Sequence, residues 1–233
     1  MIHYQLDGRV ARLTLDTPET GNHFTRQLLL DFIASLQQAE QDQAQVLLIS
    51  AKGDVFTWGR DQNERLPNVP LRDNLGLILQ ANAALRGFSG VSISLIDGPA
   101  LGFGSGIALH SSITLATERA EFGFDEIDHN LAPLIVVAYL PHFISPRIAE
   151  ELVLTGRRVS AQEAQQLGIV TRVVSSETLE EEAAALIDNV QRYPGAVRTI
   201  RHYIQALPGY PSAALNQKAI DDLASWVEQG RPE

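Results

Sequence analysis

The chain has 233 residues, 45% of them hydrophobic and 20% charged, with 18 basic against 28 acidic side chains and no cysteine. That length and apolar content support a sizeable core without disulfides or metal staples and exclude wholesale disorder. The missing thiol excludes Cys-ligated zinc, Fe–S clusters and thiol catalysis, and a net charge of −10 makes nucleic acid a poor electrostatic partner.

Residues Ile2–Leu6 and Val10–Leu15 alternate in polarity around Asp7-Gly8, a hairpin pattern. Phe24, Leu28, Leu29, Phe32, Ile33 and Leu36 then recur at helical spacing. Val46–Ile49 is a continuous apolar run, as in a strand buried on both faces. A loop over 53–70 is followed by a helix near Leu75–Arg86 and a strand over Val91–Ile96. Gly98–Gly106 is a glycine-rich turn leading into a helix at Ile107–Leu109, and Ile113–Ala116 is one more strand. This order predicts an α/β core of right-handed crossovers over 1–140. From 141 to 233 helical patterns dominate, over 176–192, 195–206 and 212–229, with a strand-like interruption at Ile169–Val174. Ser160 and Glu163 have the spacing of a capping box. The apolar run Leu131–Leu140 is half of the roughly 20 residues that span a bilayer, and MIHYQLDGRV has no signal-peptide core. The expectation is a cytoplasmic protein that handles a small molecule, without membrane partners.

Two loops carry the chemistry: Phe56-Thr57-Trp58-Gly59-Arg60-Asp61 and Gly98–Gly106. Each follows a buried strand, and glycine there lets a ligand reach the backbone amides. Amides at a helix N-terminus face outward unpaired, and two converging on one point make an oxyanion hole. Other readings of the second loop are weaker. A dinucleotide fingerprint needs its third glycine one residue later than Gly106, and a nucleophile elbow at Ser105 needs glycine where Phe103 and Ile107 stand. Plain turn chemistry remains an alternative on pattern alone.

Phe56–Asp61, Asp97–Gly106 and Ala120–Pro133, in this order and spacing, resemble the enoyl-CoA hydratase/isomerase (crotonase) superfamily. So do Asn22-His23-Phe24 and the stretch Leu152–Gly156 followed by Ala161–Val170. The resemblance covers nearly the whole chain. It implies a spiral of ββα turns with a helical C-terminal trimerisation region, hence a homotrimer or dimer of trimers. It also implies an acyl-CoA thioester as ligand, with coenzyme A arriving as part of the substrate and no further cofactor.

Carried over residue by residue, the backbone amides of Arg60 and Phe103 form the oxyanion hole. His23, Trp58, Asp61 and Gln62 lie along the CoA groove, and Gly59, Gly102, Asp125 and Asn130 complete the substrate-binding set. For Asp61 a loop-fixing hydrogen bond is the simpler account. The bulk of Trp58 and Phe103 raises the prospect of a narrowed acyl tunnel. The hydratases of this family use two carboxylates. One position falls on Gly106, so only Glu126 is kept, in an apolar stretch that would raise its pKa. Adding water to C=C asks for a base and an acid, whereas moving a double bond from C3–C4 to C2–C3 needs one group that shuttles a proton. The expected activity is Δ3–Δ2 enoyl-CoA isomerisation. Hydration, thioester hydrolysis or decarboxylation on the same scaffold is the alternative, and a non-catalytic acyl-CoA binder is the second.

Asp128 or His129 would be the relocated second acid–base group, if one exists. The six histidines lack metal-site spacing, so no metal is expected. Gln80, Asn82 and Arg86 read as the wet face of their helix, and Arg26, Lys52, Arg198, Arg201 and His202 are candidates for meeting CoA phosphates.

Overall fold

The structure, a computed structural model, describes residues 1–206 and 213–229. Strands β1 (Ile2–Asp7) and β2 (Val10–Leu15) form the expected hairpin. Its loop is Gly8-Arg9 instead of Asp7-Gly8, because Asp7 still pairs with Val10, and Gly8 supplies the positive φ of 59°. Thr25 caps α1 (Arg26–Gln41), its hydroxyl accepting the Leu28 amide at 3.2 Å. The apolar stripe Leu28, Leu29, Phe32, Ile33 and Leu36 is buried. There follow β3 (Val46–Ala51), α2 (Leu71–Gly87), β4 (Val91–Ile96), β5 (Ala100–Leu101), α3 (Phe103–His110), β6 (Ile113–Thr117) and β7 (Glu121–Gly123). Then come α4 (Leu134–Tyr139), α5 (Pro146–Thr155), β8 (Val159–Ser160), α6 (Ala161–Leu167), β9 (Arg172–Val174), α7 (Leu179–Gln191), α8 (Pro194–Ala206) and α9 (Ala213–Glu228).

The larger sheet runs β1-β2-β3-β4-β6-β9, parallel except for the first pair. A second layer, β5-β7-β8, is extended by single bridges from Thr57 to Ala100 and from Phe24 to Arg60. Each turn therefore lays one strand in the large sheet, one short extended segment in the second layer, and then a helix. That is the ββα spiral the resemblance implies.

The central strands of the large sheet, β3 and β4, are buried on both faces. Phe24, Phe32 and Phe103 meet edge-to-face on one side, with Phe24 and Phe103 ring centroids 4.8 Å apart. On the other, Leu179, Ala183, Leu186 and Ile187 of α7 cover Leu48, Ile93 and Leu115. This explains the unbroken apolar run of β3, and why Ser92 and Ser94 of β4 are buried along with its apolar residues. The composition changes near residue 140, but β8 and β9 pair with β7 and β6, so both parts of the chain share one core.

Two local expectations are corrected. α3 begins at Phe103, four residues before Ile107. Glycine disfavours helix on propensity, but here the lack of a side chain is what lets the helix pack. A Cβ at Gly104 would lie 2.5 Å from Thr57 Cγ2. The Ser160–Glu163 box is half formed: the Ser160 hydroxyl accepts the Glu163 amide at 3.2 Å, while the Glu163 carboxylate pairs with Arg157 at 2.8 Å.

Ser105 is fully buried, which removes it as a nucleophile. Its hydroxyl donates to the Ala100 carbonyl at 2.6 Å and accepts the Gly123 amide at 3.0 Å, tying α3 to β5 and β7. Ser105→Ala leaves that amide buried and unpaired, so chemical denaturation should show a loss of about 1–3 kcal/mol.

Candidate active site

The two glycine loops meet at the edge of the second layer. Phe24 bonds on both sides of Arg60: its amide donates to the Gly59 carbonyl at 2.8 Å, and its carbonyl accepts the Asp61 amide at 3.1 Å. In a parallel ladder the residue between two such bonds turns its own N–H the other way. The Arg60 amide has no hydrogen-bond partner among the described residues. Phe103 opens α3, and its amide is one of the four that a helix start leaves unpaired. Between them Gly59 (φ 84°) packs so closely that a Cβ there would lie 2.8 Å from the Leu101 carbonyl oxygen and 3.3 Å from the Phe103 nitrogen. Two unpaired amides thus stand on touching segments.

Glu126 sits on a short 3-10 turn, Asp125–His129, after β7. A Cβ at Gly102 (φ 50°) would come 3.3 Å from Glu126 Oε1, so the carboxylate lies over the start of α3. Part of the side chain is exposed, but the carboxyl end is enclosed, and Oε2 is buried without a hydrogen-bond partner. Burial drives its pKa up to about 7. The Asp125 charge adds to the rise, and a backbone hydrogen bond opposes it.

Two cavities join at Arg60, Gln62, Gly102 and Glu126. The larger, of about 230 Å³, has apolar walls from Leu75 and Ile78 of α2, Leu131–Pro133, Ile135 and Val136, and Leu223 and Val227 of α9. The smaller, of about 130 Å³, is polar and includes His23, Trp58, Asn63, Asp125 and His129. Asp61 lines the larger cavity while its carboxylate accepts the Asn63 amide at 2.8 Å. Gly59 lines neither cavity and acts by close packing. Asn130, expected in the substrate-binding set, also lines neither: at φ 52° it closes the 3-10 turn, its amide donating to the Ile127 carbonyl at 3.0 Å.

The bulky side chains do not block the larger cavity. The Phe103 ring is 6% exposed and packs into the aromatic core. Trp58 lies over Gly21 at the smaller cavity, with the Arg158 guanidinium 5.5 Å from its ring centre. Of the two candidates for a relocated acid–base group, His129 reaches the smaller cavity, and Asp128 lies against Gly156.

Arg60 does more than present an amide. Its half-buried guanidinium bonds Glu64 at 3.0 Å, and the Glu64 carboxylate also accepts the Arg26 amide at the start of α1 at 2.9 and 3.0 Å. Burial pulls the Arg60 pKa below its ordinary value, and Glu64 resists that fall. The pair latches residues 59–64 onto α1. Glu64→Gln should lower kcat about tenfold by loosening the Arg60 amide, and cost about 1–2 kcal/mol of stability in denaturant titration.

Several features escaped the sequence reading. Asn82, expected on a wet face, is 3% exposed, and its side chain has no hydrogen-bond partner. Tyr139 was not singled out; it is buried and lines the larger cavity. Arg201 donates to the Arg86 and Gly90 carbonyls, both at 3.0 Å, so it caps the end of α2. The half-buried second stripe of α2, Leu71, Leu75 and Ile78, was the one available signal for a cavity wall. Among the described residues no cluster of metal-ligand type occurs, and no helix is long and apolar enough to cross a membrane.

The sequence model described as enoyl-CoA hydratase/isomerase matches residues 5–227. The chain is 31% identical over 190 residues to the 2,3-dehydroadipyl-CoA hydratase of Escherichia coli, covering 79% of this chain and 73% of that one. It is 29% identical over 199 residues to the trans-2-decenoyl-[acyl-carrier-protein] isomerase of Streptococcus mutans, covering 82% and 76%. The enoyl-CoA hydratase structure from Bacillus anthracis superposes with a TM-score of 0.81 at 26% identity, covering 96% and 89%.

Proposed function

The chain belongs to the enoyl-CoA hydratase/isomerase family, and from that premise we propose that it moves a double bond from C3–C4 to C2–C3 of an acyl-CoA thioester. One observation carries the reading: the enclosed Glu126 carboxylate stands at the junction of the two cavities, beside the start of α3. The Arg60 and Phe103 amides hold the thioester oxygen. Glu126 takes a proton from C2, the electron pair moves onto that oxygen as an enolate, and the same proton returns at C4. A pKa of about 7 suits a group that must accept and then release a proton near neutrality. Oxyanion donors in a water-poor site supply several kcal/mol to the enolate.

The acyl chain fills the larger cavity. The CoA end runs along the smaller one, past His23, Trp58, Gln62 and Asp125. Coenzyme A comes with the substrate, and no other cofactor takes part. A cytoplasmic homotrimer, or a dimer of trimers, completes the proposal. The test is the rise in conjugated thioester absorbance when a 3-enoyl-CoA is added. No rise across chain lengths, with CoA ester binding intact, leaves hydration, thioester hydrolysis or decarboxylation on the same scaffold, or the non-catalytic binder, in its place.

A further inference from the structure

The larger cavity is not apolar throughout. Leu75 and Ile78 of α2 and Ile135 and Val136 of α4 give it hydrocarbon walls, but Tyr139, at the end of α4, adds a hydroxyl. Tyr139 is 3% exposed, packs its ring against His110 at 4.8 Å between centres, and makes no hydrogen bond among the described residues. A Cβ at Gly106 would lie 3.2 Å from that hydroxyl and 3.9 Å from Asn82 Oδ1, so the two side chains converge over one point of α3. Asn82 is also 3% exposed, and neither end of its amide has a partner. The ring nitrogens of the buried His110 have none either. Burial holds His110 well below its ordinary pKa and the Arg86 charge adds to the fall, so the ring is neutral. Around this hydroxyl, three buried polar side chains from α2, α3 and α4 stand without a hydrogen bond.

Native proteins leave few buried polar groups unpaired, because each has given up its hydration for nothing. A hydrocarbon chain in the cavity would leave these groups so. An oxygen on the chain that accepts from Tyr139 and donates to Asn82 would satisfy them, and a hydroxyl does both. A carboxylate only accepts. Burial lifts the Tyr139 pKa and the Glu126 charge lifts it further, so the hydroxyl keeps its proton and a second anion beside Glu126 is opposed.

We propose that this part of the cavity is a seat for a hydroxyl group carried by the acyl chain, and that the protein takes thioesters hydroxylated at C5 or C6 in preference to plain hydrocarbon ones. The inference rests on the reading given above for where the chain begins, with the thioester oxygen on the Arg60 and Phe103 amides. C2 to C4 carry the migrating double bond, so the hydroxyl belongs further out. Gly106, over which Tyr139 and Asn82 converge, lies three residues past Phe103, roughly 4.5 Å along α3. Tyr139 and Asn82 are then specificity residues that touch the chain and take no part in moving the proton.

The test measures binding of hexanoyl-CoA, 5-hydroxyhexanoyl-CoA, 6-hydroxyhexanoyl-CoA and adipoyl-CoA by calorimetry, with conversion of 3-hexenoyl-CoA followed alongside. The unaltered protein should bind one of the hydroxy esters about tenfold more tightly than hexanoyl-CoA, and adipoyl-CoA no more tightly than hexanoyl-CoA. Tyr139→Phe keeps the ring contact to His110 and should erase the preference while still binding hexanoyl-CoA. Asn82→Leu, of similar volume, should cut the preference at least about threefold. Equal binding of plain and hydroxy esters, tighter binding of adipoyl-CoA than of either hydroxy ester, or a full preference surviving in either variant overturns the seat. Failure of the isomerase reading appears separately, as absent 3-hexenoyl-CoA conversion with the hydroxyl preference intact.

Discussion

Glu126→Gln is expected to lower 3-enoyl-CoA isomerisation by about a thousandfold while leaving binding of a saturated acyl-CoA within a few fold. General acid–base groups contribute of this order. Glutamine keeps the shape and loses the proton shuttle, so stopped-flow absorbance under single-turnover conditions should show the loss in the chemical step. The pH dependence has a definite sign. Glu126 must be ionised to take the C2 proton, and its pKa is about 7. kcat/KM should therefore rise from pH 5 through 7 and level off above about 8, a limb that Glu126→Gln lacks.

The same group ties stability to pH. Its folded pKa of about 7 lies above the ordinary 4.5, so the folded chain holds a proton there that the unfolded chain releases. The stabilisation is complete below about 4.5 and is lost as pH rises through 7. Between pH 4.5 and 8 the native protein should lose roughly 3 kcal/mol that Glu126→Gln does not lose, read from denaturant titrations at the two pH values. A variant equally pH-sensitive would place the carboxyl in solvent.

Gly59→Ala should have the second largest effect. The position takes φ 84°, and the new Cβ would meet the Leu101 carbonyl oxygen at 2.8 Å and the Phe103 nitrogen at 3.3 Å. Both are backbone atoms that cannot swing aside. The loops must part, and the Arg60 and Phe103 amides part with them. Losing the aim of one oxyanion donor costs about 10²–10³ in kcat. Strain at a positive-φ site and the displaced backbone should add about 2–3 kcal/mol of destabilisation. A variant that folds with kcat unchanged would mean that the amides do not serve the enolate.

Much of this site was legible before the fold. The glycines at 59 and 102 stand where the backbone must approach a ligand or take positive φ, and glycine writes that requirement directly into the sequence. Resemblance to the enoyl-CoA hydratase/isomerase family, not spacing, picked Glu126 out of an acidic stretch with Glu121, Asp125 and Asp128. Tyr139 gave no such signal. It ends an apolar run, Leu134–Tyr139, in which each residue reads as core. Asn82 was misread for a related reason: helical periodicity reports which residues share a face, but not what that face meets.

The sequence by itself determined the β1–β2 hairpin, the apolar face of α1, the β3 strand and the glycines of the two loops, because each is set by contacts within a few residues or by the conformational freedom of one glycine. The ββα turns came from the family resemblance. Only the tertiary structure decided that α3 starts at Phe103, that the Phe103 ring turns inward to Phe24 and Phe32, and that β9 extends the large sheet. It also decided the cavity, whose walls come from α2, α4 and α9 and from the loop that holds Glu126. Those segments are separated by up to about 150 residues, and the enclosure that lifts the Glu126 pKa arises only when they close over it.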